Sequence, residues 1–445
     1  VIMVMLDMDS SPPRMYTGKN GQWADGSGND DEAAPNDYLT LGNNFLTTNA
    51  SMAGYLGFLI VSGGSASNCN AIANFGQDST FSGKTTAGGN TDSEGYGNFK
   101  YTVPTGAKAM CSKNLPEPSI KNGADYFGTL TYTGNDSSSH TITGLNFQPD
   151  WVWLKSRSAA HNHGVIDSVR GRAEVLFPNS TSAEQTSGSS NDLVSFNSNG
   201  ITVGTVQRLS SANTNGTTIV AWNWKESVSA GFDIITYTGN GVAGRTVAHN
   251  LGVAPEVVIC KRRNGTEDWK TNVGPILGSG NEGHHLTLNN DTAVSTGSSP
   301  FNDANPTSSN IVLGTNQATN GNGDTYIAFA FASVAGYSKM GQYIGNNNND
   351  GTFVYIGFRP AYILIKRLSA GGNYWEARDN KRNPGNTADL RLFPNTEDAE
   401  SSGEGVDFLA NGFKVRNTGN GSNASGSTYL YMAFAETSFK YANAR

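Results

Sequence analysis

The sequence predicts an all-β, multi-domain protein built from tandem antiparallel β-sandwiches. Gly accounts for 54 of 445 residues, and Asn, Ser and Thr are plentiful, a composition that favours turns over helices. Short β-branched and aromatic runs recur between these turn-forming residues. The same landmarks also return at a fixed spacing along the chain, which is typical of repeated modules.

Composition and charge exclude several classes of protein. Hydrophobic residues make up 36% of the chain, enough for packed cores, so the chain is not a disordered segment. The net charge of −7 and the pI near 5.4 argue against a nucleic-acid partner. No apolar run reaches 18 residues, so no membrane insertion is expected. The three cysteines are too few and too scattered for a disulfide framework.

Three landmarks define the repeat. A Tyr-x-Gly-Asn motif begins at Tyr132, Tyr237 and Tyr343, with spacings of 105 and 106 residues. Each copy continues with a Pro and an apolar run ending in Lys, at Pro149–Lys155, Pro255–Lys261 and Pro360–Lys366. Each then closes with a Thr-initiated aromatic run, at Thr218–Trp224, Thr325–Phe331 and Thr428–Phe434.

Each copy has the pattern of a β-sandwich. The opening strand ends at a Gly-Asn turn, and the Pro precedes its strand, where its missing N–H costs no ladder bond. The apolar run after the Pro is typical of a central strand. The closing strand alternates bulky and small residues, which suits two faces of different crowding. The polar middle of each copy is expected to form loops over the sandwich.

The landmarks are missing from the first part of the chain, which therefore forms a different unit. Its first strand begins at residue 1, so we expect this unit to be incomplete at its N-terminus. The predicted domains are a sandwich at 1–118 and three repeat modules at 119–228, 229–334 and 335–445.

The N-terminal unit resembles the second half of a SPRY-type, concanavalin-like sandwich. The motifs that carry this resemblance are Leu6–Asp9, Gly18–Trp23, Asn74–Gln77, Tyr101–Gly106, Cys111 and Asn114–Pro118. The combination is similar to the SPRY-like region of tail and virion-surface proteins of marine bacteriophages. In those proteins the region is commonly followed by copies of a domain of unknown function. Module 1 resembles those copies at Tyr132–Asn135, Gly144–Arg157, Asp167–Gly171 and Val220–Lys225.

The resemblance implies a virion structural protein, a tail fibre or appendage that contacts the host surface during adsorption. The alternatives are a capsid decoration or head-fibre protein, or a secreted bacterial adhesin with the same modules. The expected location is the virion surface, after assembly in the host cytoplasm. The expected partners are further copies of the chain, by analogy a homotrimer, other virion proteins, and a host-surface glycan or receptor.

Basic residues recur where the central strands end. Lys155, Lys261 and Lys366 are equivalent, and the residues near them are Arg157, Arg263 and Arg367. They could form a basic rim for acidic glycans. The alternative is that charges at strand ends keep a sheet edge soluble and prevent edge-to-edge pairing.

Aromatic residues recur eight or nine positions after these lysines. Trp269 and Trp375 occupy this place, and His163 replaces them in module 1. A flat aromatic ring could support a sugar, because it offers a large contact area at a small entropic cost. The alternative is a half-buried ring in the core.

The chain lacks the motifs of known catalytic and metal sites. The pair of His161 and His163 has no evident third ligand, and His284 and His285 would point to opposite faces of a strand. The Asn346–Asp350 run could supply oxygens to Ca²⁺ but lacks a fixed ligand pattern. Two carboxylate pairs, Asp167 with Glu174 and Glu376 with Asp379, could serve a glycan depolymerase, but neither recurs in all three copies. We therefore expect no enzyme activity, no metal and no cofactor.

Overall fold

Strands dominate the structure, a computed structural model, which confirms the all-β prediction. It describes residues 2–7, 14–19, 22–24, 30–32, 39–40, 77–115, 117–186, 192–205 and 211–438. The chain divides into two compact units, 1–116 and 117–445. Each unit is therefore described by itself.

Five short antiparallel strands open the first unit. They are β1 (Ile2–Asp7), β2 (Arg14–Lys19), β3 (Gln22–Ala24), β4 (Asp30–Glu32) and β5 (Leu39–Thr40). The sheet order is β1-β2-β3-β4, with β5 paired to β2. A hairpin joins β2 to β3 and places Lys19 opposite Gln22. Most of the predicted Asn74–Gln77 motif lies outside the described residues.

Asp92 organises the turns of the first unit that follow. Its carboxylate accepts hydrogen bonds from the backbone N–H groups of Glu94, Tyr96 and Ala109 and from the side-chain amide of Asn114. Burial of the carboxyl group works against its ionisation, but these donors prevail and lower its pKa to about 2. Asn114, part of the SPRY-like resemblance, therefore has a structural partner.

Module 1 is a sandwich of two main sheets. Its inner sheet has the order β6-β14-β8-β9, its outer sheet the order β12-β13-β7, and β10 pairs with β11. The strands are β6 (Phe127–Thr133), β7 (His140–Thr143), β8 (Trp151–Ser156), β9 (Gly164–Asp167), β10 (Glu174–Val175), β11 (Gln185–Thr186), β12 (Leu193–Asn197), β13 (Gly200–Val203) and β14 (Thr218–Trp224).

Module 2 repeats this arrangement, with an inner sheet of order β15-β21-β17-β18-β19 and a β16-β20 pair. Its strands are β15 (Phe232–Thr238), β16 (Arg245–Ala248), β17 (Val257–Arg262), β18 (Lys270–Asn272), β19 (His285–Thr287), β20 (Asn310–Leu313) and β21 (Thr325–Phe331). It also contains four-residue helices at Gly274–Leu277, Ser298–Phe301 and Gln317–Asn320. Single 3₁₀ turns lie at Ser112–Asn114 in the first unit, at Gly123–Asp125 before β6, and at Val228–Ala230 before β15.

Module 3 has an inner sheet of order β22-β29-β24-β25 and an outer sheet of order β23-β28-β27-β26. Its strands are β22 (Ser338–Ile344), β23 (Phe353–Tyr355), β24 (Phe358–Arg367), β25 (Glu376–Asp379), β26 (Ala388–Arg391), β27 (Ser401–Leu409), β28 (Gly412–Val415) and β29 (Thr428–Ser438). Here the prediction of a Pro before its strand is wrong. Pro360 lies inside β24, where a register shift removes the need for its N–H.

The central strands are buried on both faces because the modules share a core. In β14, Val220, Trp222 and Trp224 enter a cluster formed by all three modules, whereas Ile219 and Ala221 face the private core of module 1. The β21 strand divides in the same way, with Phe329 and Phe331 in the shared core and Ala328 and Ala330 in the private one. The bulky and small residues therefore do face layers of different crowding, as the alternation predicts.

Equivalent aromatic residues meet in the shared core. Trp224 and Phe331 end their closing strands, and Phe434 is the equivalent residue of the longer strand β29. The ring centroid of Phe434 lies 5.5 Å from that of Trp224 and 6.0 Å from that of Phe331. Each buried side chain of this size contributes about 1.5–3 kcal/mol to the free energy of unfolding. The three modules therefore pack as one compact body around a shared core.

Candidate functional site

The strand-end lysines are buried between modules. The side chains of Lys155, Lys261 and Lys366 have no exposed surface. The Nζ of Lys261 donates to the carbonyl oxygen of Thr181 in module 1, at 2.9 Å. Equivalent bonds run from Lys366 to the carbonyl oxygen of Asp291 in module 2 and from Lys155 to that of Glu397 in module 3, both at 3.2 Å.

The residues of the predicted aromatic platform lie at the same contacts. The Nε1 of Trp269 donates to the carbonyl oxygen of Phe177 at 3.0 Å, and that of Trp375 to the carbonyl oxygen of Thr287 at 3.2 Å. His163 Nε2 lies 3.0 Å from the carbonyl oxygen of Phe393. In all three cases this acceptor stands four residues before the acceptor of the corresponding lysine.

We call these acceptor segments the straps, residues 177–184, 287–294 and 393–400, and each junction of a strap with a neighbouring module a seam. The strap of module 1 meets module 2, that of module 2 meets module 3, and that of module 3 meets module 1. Head-to-tail contacts of one kind that return to their starting point form a closed ring. The three modules are therefore related by rotation about a common axis.

Arg157 and Arg263 complete two of the seams. Each guanidinium forms a two-pronged ion pair with the carboxylate of a strap residue, Arg263 with Glu184 and Arg157 with Glu400. Behind each strap carboxylate stands a second, fully buried arginine. Arg170 bridges Glu184 to Asp167, and Arg382 bridges Glu400 to Asp379 in the same way.

The third seam replaces all four charged positions with apolar residues. Val294 and Leu368 occupy the positions of Glu184 and Arg263. Val294 N donates to the carbonyl oxygen of Leu368 at 3.0 Å, just as Glu184 N donates to that of Arg263 at 2.8 Å. Val273 and Ile276 take the places of the buried Asp and Arg, and both pack against the shared core. Arg367 lies one position away from this site and donates to Ser427 Oγ at 2.7 Å.

Burial at the seams sets the protonation of their groups. Desolvation lowers the pKa of each of the three lysines to about 8, although nearby carboxylates oppose the shift. Desolvation and the nearby Lys155 also hold the pKa of His163 well below its ordinary value. The neutral ring accepts from Trp153 Nε1 at Nδ1, at 2.9 Å, so the proton lies on Nε2 and is donated to the strap.

The predicted basic rim and aromatic platform do not agree with this burial. Six of the nine predicted contact residues are at most 1% exposed: Lys155, His163, Lys261, Trp269, Lys366 and Trp375. The arginines are half-buried in ion pairs or hydrogen bonds. A residue at the end of a strand commonly faces solvent, but here the strap of the preceding module in the ring covers it.

Comparison with known families bears on the same region. A family model described as a domain of unknown function, DUF7483, matches residues 122–438, which include all three modules. The chain belongs to the DUF7483 family. No curated protein and no solved structure matches it. The family match extends over the whole ring in this chain, in agreement with one compact unit from residue 117 onward.

The two ends of the DUF7483 ring differ. Each opening strand runs from an end that we call the base, where Phe127 pairs with Trp224, to an end that we call the tip, where Thr133 pairs with Thr218. The last strand, β29, begins at the tip and ends at the base. Gly123, Ser438 and both inter-module connections therefore lie at the base.

The Tyr-x-Gly-Asn turns lie at the tip, and the DUF7483 chain pins each with a buried asparagine that the sequence analysis missed. Asn320 accepts from Asn240 N at 2.9 Å and donates to the carbonyl oxygens of Val242 and Gly314. Asn213 and Asn423 make the equivalent bond to their turns. A usable signal was present, because each asparagine stands five residues before its closing strand.

No metal site is evident in the described ranges of the DUF7483 chain. No group of three His, Cys, Asp or Glu within them could hold a metal ion. Of the predicted carboxylate pairs, Glu376 and Asp379 have different partners, Arg378 for the first and Arg382 for the second. In the same ranges no helix is long and apolar enough to cross a membrane.

Proposed function

We propose that this DUF7483 chain is a structural protein of a phage virion surface, part of a tail fibre or appendage that contacts the host. The motifs shared with marine phage surface proteins support this function. The observation that carries it is the polarity of the ring. The connections between modules lie at the base, while the described part of the tip consists of turns and loops within modules.

The tip suits contact with a host surface because hydrogen bonds hold its turns, while the exposed residues after the shared asparagine differ between modules. The first exposed turn residues are Asn135 and Asp136 in module 1, Asn240 and Val242 in module 2, and a run of asparagines in module 3. Loops held on a rigid scaffold commonly carry binding functions. Preorganised loops also lose little conformational entropy on binding.

The seams restrict which surfaces remain available for assembly with other copies of the chain. They join the modules within one chain, so the homotrimer expected by analogy would use other surfaces. Light scattering of the purified full-length chain measures the stoichiometry. A trimer that persists in variants of the seam arginine Arg157 supports this view, whereas loss of the trimer with Arg157→Ala contradicts it.

Localisation on the virion tests the proposed function. Antibodies raised against the purified chain are bound to intact virions and located by gold-labelled electron microscopy. Label on tail fibres or appendages is expected. Label on the capsid would favour the head-decoration alternative, and virions that carry no label would refute a role on the virion.

A separate assay addresses catalysis. The purified chain is incubated with the envelope polysaccharide of the host, and the release of reducing sugar is measured. We expect none. Release that depends on Glu376 or Asp379 would instead identify the chain as a depolymerase.

A further inference from the structure

One position at the seams differs in module 3. The residue just before His163 and Trp269 is Asn162 in module 1 and Asp268 in module 2. Each accepts a hydrogen bond from the amide of a strap asparagine, Asn179 to Asn162 at 2.6 Å and Asn289 to Asp268 at 3.0 Å. The side-chain oxygen of the same strap asparagine accepts the backbone N–H of His163 or Trp269.

Module 3 keeps only half of this arrangement. Asn395 Oδ1 accepts the backbone N–H of Trp375 at 2.9 Å, as its equivalents do. The preceding residue is Tyr374, whose side chain offers no carbonyl oxygen to the amide N–H groups of Asn395. An aromatic ring has thus replaced an internal hydrogen-bond acceptor.

The ring of Tyr374 is both exposed and supported. Its exposed fraction is 44%, which places it among the few large apolar side chains open to solvent. The ring packs edge-on against Phe393 with centroids 5.4 Å apart, and the guanidinium of Arg391 lies 5.4 Å from the ring of Phe393. Phe393 in turn accepts the hydrogen bond of His163. Phe393, which packs against Tyr374, is thus itself held by contacts with Arg391 and His163.

Small and polar groups flank this ring. The loop before it contains the exposed Gly371 and Gly372, and Gly372 N donates to the carbonyl oxygen of Asp291 in the neighbouring strap, at 3.2 Å. Next to this contact, Asn290 holds the exposed Thr292 by two hydrogen bonds. The loop joins the tip end of β24 to β25, so it belongs to the tip of the ring.

We propose that the loop 371–374 of module 3, with Tyr374 as its centre, is a carbohydrate-binding subsite at the tip. The apolar face of a pyranose would stack on the tyrosine ring, which offers a large contact area at a small entropic cost. The amide of Asn395 would donate to a sugar hydroxyl, and the two exposed glycines have no side chain to obstruct the approach of the sugar. A few polar groups around an apolar contact are the usual design of small-ligand sites. The subsite rests on the proposed function, because it gives host contact a location and a ligand class.

The test uses the full-length chain and a printed array of bacterial oligosaccharides and polysaccharides. Tyr374→Ala is compared with the wild type and with Tyr355→Ala, a matched control. Tyr355 is an equally exposed tyrosine of module 3, at 53%, but lies in the outer sheet. Tyr374→Phe retains the ring without its hydroxyl.

We expect the wild type, Tyr355→Ala and Tyr374→Phe to bind the same glycans, and Tyr374→Ala to bind them about tenfold more weakly or worse. Circular dichroism of all four proteins checks that each is folded. Equal binding by Tyr374→Ala, or the absence of any glycan bound by the wild type, would overturn the subsite. Gold labelling of virions is unaffected by these outcomes, so a failed subsite and a failed virion role are distinguishable.

Discussion

At the scale of single residues, the repeat signature is explained by backbone packing at the tip. The glycine of each Tyr-x-Gly-Asn motif lies directly against the chain that holds the buried asparagine. A Cβ on Gly239 would lie 2.1 Å from the carbonyl oxygen of Gly321, and one on Gly345 would lie 2.4 Å from that of Ala424. Close approach of two backbones therefore requires glycine at these positions.

Gly239→Ala tests this explanation. The new methyl group must displace backbone, so the free energy of unfolding is expected to fall by about 1–3 kcal/mol, measured by urea denaturation. Gly385→Ala is the control, because nothing lies within 4 Å of its Cβ position. Its effect is expected to be under about 1 kcal/mol. Equal stabilities for the two variants would show that the turn tolerates a side chain.

At the scale of elements, strands were predictable and seams were not. Alternation and turn residues predicted the opening, central and closing strands of each module, and these lie where expected. A lysine after an apolar run, such as Lys261, has the same local pattern whether it meets solvent or a strap. Its burial depends on a segment 80 residues away, Thr181, which no local periodicity reveals. The polar middle of each copy is predicted to form loops, but it also contains the straps and the outer strands. Local periodicity does not reveal these for the same reason.

The two kinds of seam make a prediction about the charged network between modules 1 and 2. Removing one member of a buried ion network leaves its partners unpaired, whereas replacing the whole network with apolar residues is often neutral or stabilising. The apolar seam supplies the replacement set: Asp167→Val, Arg170→Ile, Glu184→Val and Arg263→Leu. We expect the fourfold variant to be as stable as the wild type or up to about 4 kcal/mol more stable.

The single variant Arg170→Ile is the matched comparison. It leaves the buried carboxylates of Asp167 and Glu184 without their shared partner, so a loss of about 3–5 kcal/mol is expected from the same urea titration. If the four substitutions had additive effects on the free energy of unfolding, the fourfold variant would be less stable than Arg170→Ile. That result would refute this account.

At the scale of the whole molecule, the three seam lysines give the ring an unusual dependence on pH. Their folded pKa is about 8, below the ordinary lysine value of 10.5. Between these values the unfolded chain binds more protons than the folded chain, so stability rises with pH. Above about pH 10 the buried tyrosines, whose pKa values burial raises, reverse the trend because they ionise only on unfolding.

Urea denaturation between pH 7.5 and about 10 measures this rise. Lys261→Met removes one of the three groups and should reduce the slope by about a third, because the three lysines lie in separate seams and have the same lowered pKa. A stability that falls steadily over this range would mean that the lysines are not desolvated by their straps.

The shared core predicts that the three modules unfold together. Modules with separate cores would respond to substitutions one at a time, but here Trp224, Phe331 and Phe434 from three modules occupy one cluster. Ile201→Ala creates a cavity in the private core of module 1, far in sequence from the other modules, and is expected to cost about 2–5 kcal/mol. Amide hydrogen exchange then reports how far this loss extends.

If the ring unfolds cooperatively, Ile201→Ala lowers the free energy of opening by the same amount for the slowest-exchanging amides of β14, β21 and β29. The amides of β1 and β2 serve as the control, because they belong to the other compact unit and should keep their rates. A loss confined to β14 would mean that each module opens alone. Equal losses in all three strands would mean that the module is the repeating unit of the sequence, while the closed ring is the unit of folding.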